Sequence, residues 1–85
     1  MARRPATTDS KSFGVAFGAA VRARRDKKGW TAQRLAEVSG LSVDGVRRIE
    51  VGRVTDPGIQ TVNKIATALT TTVDALLRAT REGES

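Results

Sequence analysis

Arg47, Arg48 and Arg53 follow closely on Ser42-Val43-Asp44-Gly45. A guanidinium carries five N–H donors in a flat fork. That fork matches the O6 and N7 edge of guanine, and equally the oxygens of a phosphate. Asp44 can accept from a cytosine amino group, or stabilise the start of a helix through its charge. Val43 can meet a thymine methyl. Gly45 costs a helix up to about 1 kcal/mol against Ala; it either allows close approach of the backbone to a ligand or leaves the helix loose. All of this is chemistry of binding. Chemistry of catalysis has few carriers. His, Cys and Tyr are absent, which removes the commonest general base, the commonest metal ligand and any Ser-His or Cys-His nucleophile. No enzyme, metal site or cofactor is expected, and no disulfide can form.

The charge balance points the same way. The chain has 85 residues, 15 of them Lys or Arg and 9 Asp or Glu, for a net charge of +6. Residues 1–30 hold eight basic and two acidic side chains, so the whole excess lies in the first third. A small basic chain, poor in aromatics, suits a polyanionic partner, nucleic acid above all. The bland alternative is that these cations only solvate a long helix. The apolar run Phe13–Val21 is far shorter than the roughly 20 residues a membrane span needs. It follows a basic start but ends in Arg22-Ala23-Arg24-Arg25 with no small-residue cleavage site, so it reads as a core helix and not a signal peptide. A soluble cytoplasmic protein is expected, associated with the nucleoid.

The elements that must position the arginines are all helical. Residues 1–11 read as a disordered basic arm, in which Arg3, Arg4 and Lys11 could reach a minor groove or phosphates. Phe13, Ala16, Phe17, Ala20 and Val21 form one stripe of a first helix, capped by Ser10 or Ser12 and stopped at Gly29. Thr31 caps a second, with Leu35, Ala36 and Val38 as its buried side. Gly40 ends it, Leu41 packs inward, and Ser42 caps a third helix, Val43 to about Val51, with Val46 and Ile49 on its inner face. Gly52 stops that helix. Asp56-Pro57 predicts the start of a fourth, with Ile59, Val62, Ile65, Ala66 and Leu69 inward. Thr72 caps a fifth with Val73, Leu76 and Leu77. One domain over 12–79 and a flexible tail over 80–85 complete the reading.

Two short helices joined by Ser39-Gly40-Leu41-Ser42 make the sharp corner of a helix-turn-helix. The wider pattern is more specific. Phe17-Gly18-x-x-Val21-Arg22-x-x-Arg25, Gly29-Trp30-Thr31, Leu35-Ala36, Gly40-Leu41-Ser42, Val46-x-x-Ile49-Glu50-x-Gly52-Arg53, Pro57, Lys64-Ile65-Ala66-x-Ala68-Leu69 and Leu76-Leu77 resemble the phage-repressor-like family. That family comprises repressors of the lambda and Cro type and the xenobiotic-response-element regulators. The resemblance covers about residues 13–77. It implies a compact, all-α, five-helix DNA-binding domain whose third helix enters the major groove while the second crosses the backbone. It also implies an ion pair between Arg25 and Glu50, a phosphate contact at Arg53, and a core position for Trp30. The family usually has Gln directly after the Thr that starts helix two; here Ala32 stands there and Gln33 comes one later. Thr70 stands where the family often has Gly or Asn.

These features predict a sequence-specific regulator of transcription, most simply a small repressor. It would bind an inverted-repeat operator in double-stranded DNA as a homodimer, through Val73, Leu76 and Leu77 of helix five. The alternatives are an antitoxin, whose toxin partner would take the arm or the tail, and a protein-interaction module that does not bind DNA. Arg47, Arg48 and Arg53 argue against the last.

Overall fold

The computed structural model describes residues 6–84, with side chains from Ser12 to Gly83. Five helices follow in order: α1 (Ala6–Lys27), α2 (Ala32–Ser39), α3 (Val43–Glu50), α4 (Ile59–Ala68) and α5 (Val73–Glu84). The described residues contain no strand. Phe17 and Val21 of α1, Leu35 of α2, Val46 of α3, Ile65 of α4 and Leu76 of α5 are fully buried in one cluster. Thus every helix contributes to a single core. α1 lies along α5 and touches α3, while α2 packs on α3 and α4.

Where each helix stops is set by local chemistry. α1, α3 and α4 end in the same reverse turn, in which two successive N–H groups return to carbonyls of the last helical turn. After α1 these are Gly29 to Asp26 O and Trp30 to Arg25 O; after α3, Gly52 to Ile49 O and Arg53 to Arg48 O; after α4, Thr70 to Thr67 O and Thr71 to Ala66 O. The pivotal residue is left-handed each time. Gly29 has φ 73° and Gly52 φ 83°, but in the third turn a threonine takes φ 59°.

Several boundaries differ from the sequence expectation. α1 begins at Ala6, so residues 6–11, expected as part of the arm, continue the helical backbone. No Gly or Pro interrupts 6–13, and extending an existing helix needs no new nucleus. α5 runs to Glu84, through residues expected as tail. Thr80 explains this: it is fully buried one turn after Leu76, and its hydroxyl donates to the Leu76 carbonyl at 2.9 Å. α4 starts not at Pro57 but at Ile59, with Gly58 extended before it and no side-chain cap. Pro57 instead lines an apolar cleft with Phe13, Val62 and Leu77, so Asp56-Pro57 belongs to the loop. Ile59, the first residue of α4, is 71% exposed and not part of the core. In α2 the inward phase is Leu35, Ala36 and Ser39; Val38 is 43% exposed. Leu76 is entirely internal and cannot be a dimer contact, whereas Val73 and Leu77 are half-buried.

Candidate nucleic-acid interface

α2, the turn 40–42 and α3 form a corner held by hydrogen bonds at the helix ends. Thr31 accepts the Arg34 N–H on its hydroxyl at 3.1 Å, and Gly40 closes α2 in the left-handed region at φ 78°. The N–H groups of Gly40 and Leu41 both return to the Ala36 carbonyl. Ser42 accepts the Gly45 N–H on Oγ at 2.9 Å. A Cβ on Gly45 would stand 3.0 Å from that same Oγ, a tight approach that the Ser42 side chain would have to accommodate.

With Val46 and Ile49 in the core, helical periodicity puts positions 44, 47 and 48 of α3 outside. Asp44, Arg47 and Arg48 are exposed, as are Ser42 before the helix and Arg53 after it. Val43 is half-buried against the core, so little of it remains for a ligand. Arg48 Nε lies 3.1 Å from Asp44 Oδ2, with 66% and 72% of the two side chains exposed. Among the described residues Arg47 and Arg53 enter no ion pair. Gln33 is exposed on α2, while Ala32 packs partly into the core and offers no donor. Arg3 and Arg4 lie outside the described residues; Lys11 falls on the α1 backbone, with its side chain also outside them.

Behind this face α3 is clamped to α1. Arg25 Nε donates to Glu50 Oε2 at 2.6 Å and Nη2 to Oε1 at 2.9 Å, while Nη1 reaches the Trp30 carbonyl at 2.6 Å. Only 12% and 8% of the Arg25 and Glu50 side chains are exposed. The hydrogen bonds to Glu50 outweigh desolvation and hold Arg25 above the usual arginine pKa, so it is permanently charged. Beside this pair the backbones nearly touch. A Cβ on Gly18 would run into the Ile49 carbonyl and lie 2.9 Å from the Glu50 oxygen; one on Gly14 would lie 2.8 Å from the Val54 oxygen. Gly14 and Gly18, one turn apart, therefore set how closely α1 approaches the end of α3. Their spacing beside the apolar stripe is the sequence signal for this contact, and the stripe alone does not reveal it.

Trp30 is half-buried, with one part against the core. Lys28 Nζ lies 5.0 Å from its ring centre and the Arg34 guanidinium 5.7 Å. These cation–π contacts gather two positive charges at the start of α2, a cluster that charge counting does not locate.

A helix-turn-helix family model matches residues 21–76, which include the whole corner and the clamp. The chain belongs to the helix-turn-helix family. It is a member of the Cro/C1 type. It is 31% identical over 64 residues to the SPbeta prophage-derived uncharacterized HTH-type transcriptional regulator YonR of Bacillus subtilis, covering 75% of this chain and 58% of that one. With the HTH-type transcriptional repressor RghR of the same organism it shares 38% identity over 61 residues, or 72% of this chain and 45% of that one. It thus spans about half the length of these curated relatives. A crystal structure of the clp gene regulator ClgR from Corynebacterium glutamicum superposes with a TM-score of 0.79 at 29% identity, over 85% of this chain and 76% of that one. No described helix is long and apolar enough to cross a membrane.

Proposed function

We propose that the helix-turn-helix chain acts as a non-catalytic transcriptional repressor in the cytoplasm, binding an inverted-repeat operator as a homodimer with one α3 per half-site. The observation that carries this reading is the exposed set Arg47, Arg48 and Arg53 on a helix that is capped at Ser42 and clamped from behind by Arg25–Glu50. A rigid helix can hold side chains in register with base edges, and two of them related by symmetry double the length of sequence read. In this reading Arg48 takes a guanine edge and Arg47 a base or phosphate. Arg53 and Gln33 contact phosphate, as do Lys28 and Arg34 beside Trp30. The bond from Ser42 to Gly45 sets where α3 begins. Val73 and Leu77 supply the apolar part of the dimer contact. The family's repressor relative supports the direction of regulation.

Selection of bound sequences from a random DNA pool, with the solution mass of the complex, tests it. An enriched inverted repeat bound by two chains is expected; absence of any enriched sequence would overturn the reading. Arg48→Ala should cost about 1–3 kcal/mol on the selected operator and relax one position per half-site. Arg53→Ala should weaken all sequences alike and lower the salt slope by about one.

A further inference from the structure

We infer that Asp44 is a positioning residue for Arg48, and that the pair, not the arginine alone, determines selectivity. This rests on the reading of Arg48 as the guanine contact. Asp44 and Arg48 are four residues apart on α3, so they share one face, and the acid lies toward the N-terminus as the helix dipole and the (i, i+4) geometry prefer. The contact is made through Arg48 Nε, 3.1 Å from Asp44 Oδ2. Nε is the nitrogen attached to the side-chain stem, so a carboxylate held beside it by charge biases the orientation of the guanidinium plane. It also leaves both terminal nitrogens unengaged by Asp44, and these are the two donors that an O6/N7 edge accepts end-on.

An exposed pair of this kind adds little to stability. Its effect belongs to binding. At a DNA surface water is displaced and the pair strengthens as the local dielectric falls. The carboxylate also offsets the Arg48 charge that phosphates would otherwise attract, and itself repels them. Asp44 therefore weakens attachment to DNA in general while favouring a single arginine pose. An acid that only stabilises the first turn of α3 would still repel phosphates but would not favour one arginine pose.

The test uses the full chain, the sequences that the wild-type protein selects from a random pool, and a random duplex as reference. D44A, R48A, the double variant and D44E are compared over a salt series, with circular dichroism reporting folding. D44S replaces D44A should that variant melt at the assay temperature. D44A is expected to lose about fivefold or more of the preference for guanine at the position Arg48 reads, near the low end of what one bidentate contact supplies. It should bind random DNA more tightly and with a steeper salt dependence. In the R48A background the same change should no longer affect preference, and D44E should retain most of it. The inference is overturned if D44A keeps the wild-type preference, if preference changes instead at another base pair, or if the loss persists without Arg48. If R48A itself leaves the selected sequence unchanged, the reading of Arg48 has failed and this inference with it. A silent D44A beside an altered R48A removes this inference alone.

Discussion

Replacing Thr70 by Gly should stabilise the protein. Thr70 follows α4 at φ 59°, in a turn whose hydrogen bonds match those after α1 and α3, where glycine stands. A residue with a Cβ pays about 1–2 kcal/mol in this region, and branching at Cβ does not ease it. Glycine removes that strain but enlarges the entropy of the unfolded chain, a loss of about 0.4–1 kcal/mol. Thr70 is exposed, so no packing is forfeited. The net gain is about 0.5–1 kcal/mol, which for a domain of this size raises Tm by roughly 2–8 °C. Thr70→Asn should recover part of the gain, because Asn tolerates the left-handed region better. Gly29→Ala provides the reverse experiment. Its φ is 73° and a Cβ there would meet nothing within 4 Å, so only the backbone penalty acts, and a similar loss of about 0.5–1 kcal/mol is expected. Thermal melts followed by circular dichroism give Tm, and urea titrations with an unchanged m-value confirm that stability shifts without a change in the surface exposed on unfolding. A Thr70→Gly variant equal to or less stable than wild type, beside a destabilised Gly29→Ala, would refute the reasoning.

Two further predictions concern the clamp. Arg25→Ala and Glu50→Ala should each destabilise by about 3–5 kcal/mol, because each leaves a nearly buried charge without its partner, and the double variant should lose less than the sum in urea titrations. Additive, small losses would show that the pair is not formed in solution. Gly18→Ala should cost about 1–3 kcal/mol by pushing α1 off the end of α3, and operator affinity measured on the folded variant should fall with it; a neutral Gly18→Ala would mean that the two backbones leave room for a methyl group.

Periodicity and caps make most of this fold legible in the sequence. Thr31, Ser42, Gly29, Gly40 and Gly52 each act at the end of a helix, and such signals are local, needing only the neighbouring few residues. Expectation and structure part where the deciding contact comes from elsewhere in the chain. Thr80 looks like tail until the packing of α5 is seen to bury it. Asp56-Pro57 looks like a helix start until Pro57 is seen lining a cleft with Phe13 and Leu77. Leu76 and Leu77 look equivalent in sequence, yet only the phase of α5 against the core makes one internal and leaves the other half-buried. For the candidate site, the face of α3 is readable because Val46 and Ile49 fix its phase. The engagement of Arg48 by Asp44 and the stacking of Lys28 and Arg34 about Trp30 depend on rotamers, which a sequence does not display.

The two arginine–carboxylate pairs that involve α3 show how one interaction serves opposite ends. Arg25–Glu50 is shielded from water, held by two hydrogen bonds between the side chains and a third to the Trp30 carbonyl. Breaking it leaves a charge that the core cannot solvate, so its worth is read in stability. Arg48–Asp44 is open to solvent and joined through Nε. Breaking it exposes nothing, so the fold is nearly indifferent to it and its worth can be read only against a ligand. The first pair, with Gly14 and Gly18 behind it, ties α3 to α1 irrespective of what occupies positions 44, 47 and 48. Substitution on the outer face can therefore change what α3 presents to a ligand without disturbing the helix that presents it. The reverse does not hold, because a change at Gly18 or Glu50 moves every contact that α3 makes.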